Sequence, residues 1–417
     1  MIKYILIFLI AASSLKAQWL QSTGIPANHL VYSMASCNGK MFAGTGVGIL
    51  TTGGLSVSTD NGITWTSVDM NWSGQSAVMS LAVKDNYIFA GTYEDDLFIS
   101  SNAGVNWTHV FLNNSGGVFE IGISGNNVVC YTNGTGPIWA STNMGANWAI
   151  INSSAIALVN DFLTHDNTLF AGCSNGLGYS TNNGINWDTA GNHGLPSNPD
   201  HTKPISGITY HNGKIFGSCI QKIFYSADNG NNWTQVTAGV PAYSNIYSMI
   251  SYGGKIFAGL TGTSDATKGV LVSSNEGASW ALMNQGFSSV PNIRVLMINS
   301  EFMLAGAYTG GVYRIPLSTI TDIGNSPEIV KQFSLKQNYP NPFNPETIIN
   351  FVINKKDFIS LKVYDNNGKL VASLVNKVLE AGSYSYNFNA QSLPSGVYLY
   401  KLESPGFSDS KKMLLIK

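Results

Sequence analysis

An eight-residue phrase ending in tryptophan occurs six times between residues 58 and 280. Its copies are STDNGITW (58–65), SSNAGVNW (100–107), STNMGANW (141–148), STNNGINW (180–187), SADNGNNW (226–233) and SSNEGASW (273–280). The starting positions are separated by 42, 41, 39, 46 and 47 residues. A regular period near forty residues is typical of solenoids, propellers and other repeat arrays, so this period constrains the fold more than any single motif.

Each copy of the phrase lies inside a longer unit that predicts four β-strands. VYSMASCNGKMFAGT (31–45) resembles VMSLAVKDNYIFAGT (78–92) and IYSMISYGGKIFAGL (246–260), and weaker copies begin near Val118, Val159, Pro204 and Asn292. Apolar residues alternate with polar ones between Gly/Asn turns, which is the pattern of strands in antiparallel sheets. Seven such units predict an all-β fold, a seven-bladed β-propeller over residues 18–316.

The two ends of the repeat region complement each other. The last unit stops at GGVYRIPLS (310–318) without the phrase or a fourth strand. The segment QWLQSTGIPANHLVYS (18–33) resembles NWTQVTAGVPAYSNIYS (232–248), in which a fourth strand leads into the next unit. We therefore expect residues 19–24 to supply the fourth strand of the last blade, which closes the ring and leaves no exposed sheet edge.

Segments outside the repeats predict export and a second domain. Residues 1–17 have a lysine, an apolar stretch and then small residues, which is the order of a secretory signal peptide and is too short to span a membrane. A polar segment over 317–332 predicts a linker. Residues 333–417 predict a small Ig-like β-sandwich. Its strands are expected at 359–365, 382–388 and 396–402.

The phrase S-x-[DN]-x-G-x-[TNS]-W resembles the Asp-box, or BNR repeat, of sialidases, sortilin-type receptors, xyloglucanase-type glycosidases and a photosystem II assembly factor. In a turn between the third and fourth strands, the Asp or Asn can accept hydrogen bonds from turn amides, the glycine supplies a positive φ, and the tryptophan is buried. The predicted structural residues are Asp60, Trp65, Asn102, Trp107, Asn143, Trp148, Asn182, Trp187, Asp228, Trp233, Asn275 and Trp280. We expect no metal at these turns, because calcium requires several oxygen ligands in one place.

Residues 333–417 resemble the type A sorting domain of the type IX secretion system of Bacteroidetes. The segments that carry the resemblance are QNYPNPFNPETIINF (337–351), VYDNNGKLV (363–371), LPSGVYLYKL (393–402) and the basic end at 411–417. The resemblance implies Sec-dependent export, passage through an outer-membrane translocon bound by residues 333–417, and removal of this domain on release or surface attachment. An ordinary Ig-like module is the alternative, although it requires neither the Asn-Pro-Phe-Asn-Pro entry nor the basic end.

Charge and cysteine content bear on several classes of function. Residues 18–316 hold 9 Lys or Arg against 15 Asp or Glu, a net charge of −6, so we expect no nucleic-acid partner. Cys37, Cys130, Cys173 and Cys219 form no CxxC pair and predict no zinc site. Cys173 and Cys219 occupy equivalent repeat positions, so a disulfide between them and four separate buried thiols both suit an exported protein. We expect no cofactor, no transmembrane segment and a monomer.

Candidate functional residues lie where the first strand of each unit lines the central channel. The positions aligned with Ser33 are Ser80, Glu120, Asp161, Gly207, Ser248 and Val295. Neighbouring units thus place Glu120 and Asp161 in one ring, and Arg294 lies one residue earlier in the seventh unit. Paired carboxylates suit acid–base hydrolysis of a glycosidic bond, and polar channel-lining positions are the simpler alternative. Loop residues expected on the same face are Trp72, Tyr93, Glu94, Asp95, Asp96, Asp200, His201, Tyr243, Asp265 and Tyr308.

Three functions fit these residues. The first is non-catalytic binding of a glycan or an extracellular protein at the channel mouth, with Glu120, Asp161, Arg294, Tyr93, Trp72 and Tyr308 as ligand-binding residues. The second is a polysaccharide-degrading glycoside hydrolase that uses Glu120 and Asp161. The third is an assembly factor resembling the photosystem II factor. Sialidase activity is disfavoured, because that family uses three arginines and this chain has only Arg294 and Arg314.

Overall fold

The structure is a computed structural model. It describes residues 18–47, 52–70, 76–94, 96–112, 116–132, 137–151, 154–199, 201–320, 334–335, 337–338, 340–353, 357–379 and 382–417. The chain divides into two compact units with the boundary between Thr321 and Asp322. The predicted signal peptide and most of the predicted linker lie outside the described residues. In the described part of the chain, no helix has the length and apolar character needed to cross a bilayer.

The first unit consists of seven four-stranded antiparallel sheets, the blades of a propeller. The chain begins with β1 (Leu20–Gln21). The first blade contains β2 (His29–Cys37), β3 (Lys40–Val47), β4 (Thr52–Ser58) and β5 (Thr66–Val68). The second contains β6 (Val78–Lys84), β7 (Tyr87–Thr92), β8 (Leu97–Ser100) and β9 (Thr108–Val110). The third contains β10 (Val118–Ser124), β11 (Asn127–Thr132), β12 (Ile138–Ser141) and β13 (Ala149–Ile151). Within each of these blades, every strand pairs with the next one in the chain.

The remaining blades follow the same plan. The fourth blade contains β14 (Val159–His165), β15 (Thr168–Cys173), β16 (Gly176–Ser180) and β17 (Asp188–Thr189). The fifth contains β18 (Ile205–His211), β19 (Lys214–Cys219), β20 (Lys222–Ser226) and β21 (Thr234–Gln235). The sixth contains β22 (Asn245–Tyr252), β23 (Lys255–Thr261), β24 (Gly269–Ser273) and β25 (Ala281–Leu282). The seventh blade contains β26 (Ile293–Ile298), β27 (Phe302–Ala307) and β28 (Val312–Pro316). A single 3-10 turn, Asp265–Thr267, lies between β23 and β24.

The seventh blade is completed by the N-terminal strand, as the complementary ends of the repeat region predict. β1 pairs antiparallel with β28, with Leu20 opposite Arg314 and Gln21 opposite Tyr313. Trp19 anchors this strand: it is 1% exposed, its indole Nε1 donates to the Met283 carbonyl oxygen at 2.7 Å, and its ring stacks on Phe287 with centroids 5.4 Å apart. The seven-bladed propeller predicted from the repeats is therefore confirmed, and its ring is closed.

The hydrophobic core lies between neighbouring blades. One cluster joins Phe42 and Leu55 of the first blade to Val78, Ile88 and Phe98 of the second. The blades approach so closely that a Cβ added at Gly44 would lie 2.5 Å from the Val78 carbonyl oxygen, so no larger residue fits there. All four cysteines are buried free thiols, and hence no disulfide links Cys173 and Cys219. Burial raises the pKa of the Cys173 thiol to about 12.

The six repeated turns share one hydrogen-bond pattern. In every copy the first-position serine Oγ accepts a bond from the glycine amide, and the Asp or Asn Oδ1 accepts one from the residue before tryptophan, both at 2.8–2.9 Å. The residue before the glycine also has positive φ in every copy. These residues are Asn61, Ala103, Met144, Asn183, Asn229 and Glu276. Two successive left-handed residues make the reversal between the third and fourth strands tight.

The tryptophans that end these turns are not equivalent. The indoles of Trp148, Trp187, Trp233 and Trp280 donate to the glycine carbonyl of their own turn at 2.9–3.2 Å. The buried Nε1 atoms of Trp65 and Trp107 have no hydrogen-bond partner among the described residues. Apolar packing holds these two rings, for example Trp65 against Met41 and Leu304.

The propeller unit extends beyond Pro316, where it was predicted to end. Helix α1 (Leu317–Ile320) buries Leu317 and Ile320, and the Leu317 amide donates to the Glu301 carbonyl oxygen at 2.8 Å. The first four residues of the predicted linker thus pack on the propeller, because two of them are apolar and face its surface.

The second unit is a β-sandwich built from two sheets. Its strands are β29 (Ser334–Leu335), β30 (Glu346–Ile353), β31 (Asp357–Tyr364), β32 (Leu370–Leu379), β33 (Gly382–Asn389), β34 (Gly396–Ser404) and β35 (Phe407–Leu415). The sheet orders are β29-β30-β33 and β32-β31-β34-β35. Phe351, Leu361, Tyr400 and Leu415 belong to the core.

The Asn-Pro-rich entry segment of the sandwich is bound to the C-terminal strands. The backbone amide of the buried Asn338 donates to the Tyr400 hydroxyl at 2.7 Å, and its side chain donates to Thr347 at 2.9 Å. The Asn341 side-chain oxygen accepts a bond from the Leu414 amide at 2.8 Å. These asparagines are therefore structural parts of the sandwich.

Candidate ligand-binding site

The first strands of all seven blades contain a β-bulge at the same place. In the first blade, Val31 pairs with Thr45 and Ser33 pairs with Gly44, so Tyr32 has no partner opposite it. The corresponding unpaired residues of the other blades are Met79, Phe119, Asn160, Tyr247 and Arg294, and in the fifth blade the irregularity spans Gly207 and Ile208. Bulges alter the direction of a side chain and are frequent beside functional sites. The seven bulges define one ring around the channel.

The two predicted carboxylates directly follow this ring of bulges. Glu120 pairs with Tyr131 in the third blade, and Asp161 pairs with Gly172 in the fourth. Both have the register of Ser33, and both side chains are partly exposed. The structure thus places Glu120 and Asp161 at equivalent positions of adjacent blades, where the repeat alignment puts them.

The carboxylates influence each other electrostatically. Burial and the negative charge of Asp161 raise the pKa of Glu120 well above its usual range, while the positive charge of Arg294 opposes this shift. Burial also raises the pKa of Asp161 to about 7, against hydrogen bonds from backbone amides and the charge of Arg294. At neutral pH the pair therefore carries less negative charge than two ordinary carboxylates.

The two carboxylates have different partners. The Oδ2 atom of Asp161 accepts a hydrogen bond of 2.7 Å from the Ile208 amide of the next blade. Ser248 accepts an equivalent bond of 3.0 Å from the Leu296 amide. Within the described part of the chain, the Glu120 side chain has neither a hydrogen bond nor an ion pair. One carboxylate is therefore fixed between blades, and the other makes no such bond among the described residues.

Arg294 occupies the bulge of the seventh blade. Its guanidinium carbon lies 4.1 Å from the centroid of the Tyr247 ring, the bulged residue of the sixth blade. Among the described residues no carboxylate lies within ion-pair distance of Arg294. Its positive charge acts on Glu120 and Asp161, and also on the hydroxyls of Tyr32 and Tyr308. Arg294 is thus the electrostatic centre of this region.

Tyrosines complete the region around Arg294. Tyr308 follows β27, and its amide donates to the Asn292 carbonyl oxygen at 2.9 Å. Burial raises the pKa of Tyr308, Arg294 opposes the shift, and Tyr247 adds to it. Burial and the neighbouring Tyr308 also raise the pKa of Tyr32, whereas Arg294 lowers it. The residues linked in this way, which we call the mouth cluster, are Tyr32, Glu120, Asp161, Tyr247, Arg294 and Tyr308.

Tyr93 has the same register in the second blade as Tyr308 has in the seventh. It follows β7, and its amide donates to the Ala77 carbonyl oxygen at 2.9 Å. Its ring lies 5.5 Å from that of Phe119, the bulged residue of the third blade. This aromatic pair therefore joins the second blade to the residue that directly precedes Glu120 in the third.

The remaining loop candidates differ in their surroundings. Asp96 is buried, and its Oδ2 accepts a bond from the Leu112 amide at 3.2 Å, so it stabilises its own loop instead of facing a ligand. Tyr243 is 79% exposed, and Glu94, His201 and Asp265 are exposed as well. Trp72, Asp95 and Asp200 lie outside the described residues.

Cavities elsewhere on the propeller lack this combination of groups. One of about 470 Å³ is lined by Tyr252, Phe302 and Leu317, and another of about 410 Å³ by Trp148, Ile150 and Ile185. Neither brings two carboxylates and an arginine together. Among the described residues, no cluster of His, Cys, Asp and Glu side chains could hold a metal ion. Of these three places, the mouth cluster is therefore the one that combines two carboxyl groups, an arginine and aromatic rings.

The repeated turns lie between the third and fourth strands, at the opposite end of the blades from the loops that follow the second strands. Burial opposes ionisation of Asp60, but hydrogen bonds from Thr64, Ser58 and Ile63 lower its pKa to about 2. Hydrogen bonds from Asn232 and Ser226 likewise lower the pKa of Asp228 to about 2. Both carboxylates serve the turns that contain them.

Comparisons with known proteins identify the C-terminal unit. Residues 337–417 match the family model described as secretion system C-terminal sorting domain. No curated protein matches the chain. The sorting domain shows that the protein is exported and is either attached to the outer surface or secreted.

Solved structures resemble the propeller in fold. YCF48 bound to a D1 peptide superposes with a TM-score of 0.55 at 16% identity, over 72% of this chain and 95% of that one. PorZ of Porphyromonas gingivalis, a surface component of the type-IX secretion system, has a TM-score of 0.51 at 15% identity, over 95% of this chain and 60% of that one. The GH74 enzyme of Niastella koreensis has a TM-score of 0.51 at 17% identity, over 70% and 43%. At these identities the likeness concerns fold alone, and the chain is an exported β-propeller with a type IX C-terminal sorting domain.

Proposed function

We propose that this protein binds an extracellular glycan at the mouth of its propeller channel, without hydrolysing it. The observation that supports this proposal is the mouth cluster, in which two carboxyl groups directly follow the bulges and aromatic rings lie at the bulges or in the adjoining loop. Aromatic faces pack on sugar rings, while carboxyl groups exchange hydrogen bonds with sugar hydroxyls. The sorting domain presents such a site to polysaccharides outside the cell.

The proposal assigns a supporting role to the rest of the chain. Residues 1–17 direct Sec-dependent export, the propeller over 18–316 carries the site, and residues 333–417 bind the type IX translocon. The six turns are Asp-boxes, whose serine, Asp or Asn, glycine and tryptophan hold the blade ends together. In this proposal the mature protein acts as a monomer, with the N-terminal strand completing the seventh blade of its own chain.

A binding experiment tests this function. The mature chain, residues 18–417, would be applied to an array of bacterial, plant and host polysaccharides. We expect binding to a subset of glycans that falls at least tenfold when Tyr247 is changed to Ala or Glu120 to Gln. Asp188→Asn is the matched control, because Asp188 lies on the exposed outer strand β17 of the fourth blade. Retention of full binding by both mouth variants would contradict the proposed site.

A glycoside hydrolase is the second candidate, because one observation favours it. The raised pKa values of Glu120 and Asp161 would allow one carboxyl group to be protonated while its neighbour is ionised, as acid–base hydrolysis requires. Against it, one oxygen of Asp161 is already bound to the Ile208 amide. Release of reducing ends from a bound polysaccharide by the wild-type protein, and its loss in Glu120→Gln, would favour the hydrolase.

A protein ligand is the remaining alternative. It is motivated by the neighbour YCF48, which was solved with a bound peptide. The assembly-factor hypothesis belongs with this alternative. Absence of binding across the glycan array, together with capture of a peptide that Tyr247→Ala fails to capture, would replace the glycan proposal with this one.

A further inference from the structure

We propose that the glycan bound at the mouth is acidic, and that Arg294 recognises the carboxylate of a uronic acid residue within it. This inference rests on the proposed function and adds a chemical class of ligand to it. Of the residues at the seven bulges, Arg294 is the one that carries a charge. The propeller thus places a single cation in an otherwise uncharged ring.

The guanidinium is held in place without being neutralised. Its contact with the Tyr247 ring, 4.1 Å from the centroid, fixes its position through a cation–π interaction. Among the described residues no carboxylate forms an ion pair with it. A guanidinium presents a planar fork of N–H donors that matches a carboxylate. The free fork therefore suits a carboxylate supplied by a ligand.

The nearby protein carboxyl groups do not neutralise the guanidinium of Arg294. Asp161 is directed to the Ile208 amide of the neighbouring blade, at 2.7 Å. Glu120 lies close enough to interact with the charge of Arg294, but it makes no ion pair with it. Because burial favours the protonated forms of both groups, they compensate the arginine only in part. An anionic ligand group would complete the charge balance.

The same carboxyl groups favour a sugar over a peptide. The ammonium group of a free amino acid or of a peptide N-terminus would require a fully ionised partner, whereas a protonated carboxyl group can both donate to and accept from sugar hydroxyls. The Tyr247 ring contacts Arg294, and Tyr32 and Tyr308 lie close enough to interact with its charge, so aromatic side chains on which a sugar ring can pack are near the guanidinium. A uronic acid combines the ring, the hydroxyls and the carboxylate that these groups would bind.

The test compares polysaccharides that differ only in charge. Polygalacturonate, alginate and hyaluronan would each be offered to the mature chain beside the same polymer whose carboxylates have been reduced to primary alcohols. We expect at least one native polymer to bind about 10 to 100 times more tightly than its reduced form, since hydrogen bonds to charged groups contribute that much. Equal affinity within every pair, or no binding of any native polymer, would overturn the inference.

Variants separate Arg294 from general effects of charge. Arg294→Gln should abolish the preference for the native polymer, and Arg294→Lys should retain part of it, because the charge remains but the planar fork is lost. Lys214→Gln is the matched control, since the Lys214 amino group also lies over a tyrosine ring, that of Tyr225, 4.9 Å away and outside the mouth cluster. Thermal unfolding of each variant verifies that it is folded. Preference retained in a folded Arg294→Gln variant would refute the role of Arg294.

The outcomes distinguish this inference from the proposed function. Binding of neutral glycans that is lost in Tyr247→Ala but unchanged in Arg294→Gln would leave the glycan-binding function standing and overturn the acidic class. If the protein bound a peptide with a free C-terminal carboxylate and bound no glycan, both the glycan-binding function and the acidic class of ligand would be overturned. Stronger binding of a sulfated glycan than of any uronate would also overturn the assignment to a carboxylate.

Discussion

The Oδ2 atom of Asp161 lies 2.7 Å from the backbone nitrogen of Ile208, which belongs to the next blade. Two blades further on, Ser248 and the Leu296 amide form the same contact at 3.0 Å. A carboxylate thus occupies a position where a serine hydroxyl suffices for the bond between blades. Unlike the serine, the carboxyl group of Asp161 titrates, and its pKa is raised to about 7 by burial.

The contact between Asp161 and Ile208 predicts unequal effects of two substitutions. Asp161→Ala leaves a buried amide without a partner and should lower the free energy of unfolding by about 1–3 kcal/mol. Asp161→Asn keeps an accepting oxygen and should cost less. Urea denaturation at pH 4, where the folded state holds Asp161 protonated, measures both, with Ser248→Ala as the uncharged counterpart. Equal stability of Asp161→Ala and the wild type would show that this bond does not support the ring.

The high pKa of Asp161 predicts how stability depends on pH. Because its folded-state pKa of about 7 lies above the ordinary value of 3.8, the folded state holds the proton more tightly than the unfolded state. This contribution to stability is complete below pH 4 and is lost as the pH rises through about 7, with a slope of up to about 1.4 kcal/mol per pH unit. Glu120 acts in the same direction.

Comparison with Asp161→Asn isolates this effect. The variant has no titrating group at position 161, so its free energy of unfolding should fall less than that of the wild type between pH 4 and pH 7. Chemical denaturation at intervals of one pH unit provides the measurement. Parallel curves for the two proteins would contradict the raised pKa.

The turn carboxylates predict the opposite behaviour at low pH. The pKa values of Asp60 and Asp228 are lowered to about 2, so their contribution is present above about pH 4 and is lost as the pH falls through 2. Asn occupies the same position in the other four turns, so a double Asp60→Asn, Asp228→Asn variant should fold. Its acid-unfolding midpoint, followed by tryptophan fluorescence, should move to lower pH. An unchanged midpoint would contradict this role.

The N-terminal strand predicts a large effect of a residue far from the mouth. Trp19→Ala removes a fully buried ring and its bond to Met283, and should cost about 3–5 kcal/mol of unfolding free energy. Trp19→Phe keeps an aromatic ring against Phe287 and should cost less. Urea denaturation measures both variants. A small cost for Trp19→Ala would mean that the seventh blade is stable without this anchor.

Much of the fold follows from the sequence, because the same physical requirement recurs in every blade. Ser, Asp or Asn, Gly and Trp are needed at each turn, so repetition reveals the number of blades, and the incomplete last unit reveals the closing role of Trp19. Helix α1 escapes this reasoning because Leu317 and Ile320 form too short an apolar pattern to be noticed.

The candidate site is harder to predict from the sequence than the fold is. Register alignment brings Glu120 and Asp161 together, since a period-2 strand and a constant repeat fix their positions. Aligning the repeats does not distinguish Tyr32 and Tyr247 from other strand residues, because a β-bulge cannot be recognised in the alternation of apolar and polar residues. The one feature of the sequence that points to these tyrosines is their position directly before Ser33 and Ser248, in the aligned ring of channel-lining residues. The contact of Arg294 with Tyr247 joins two blades, and therefore only the assembled ring reveals it.

The pairing of β1 with β28 also sets the order in which the molecule can assemble. Leu20 must find Arg314 across nearly the whole length of the propeller, and contacts so distant in sequence form slowly. While the chain crosses a membrane, β1 stays unpaired until β28 has also crossed. We expect premature folding before export to be disfavoured in this way, because an open row of blades lacks the contact that fastens it.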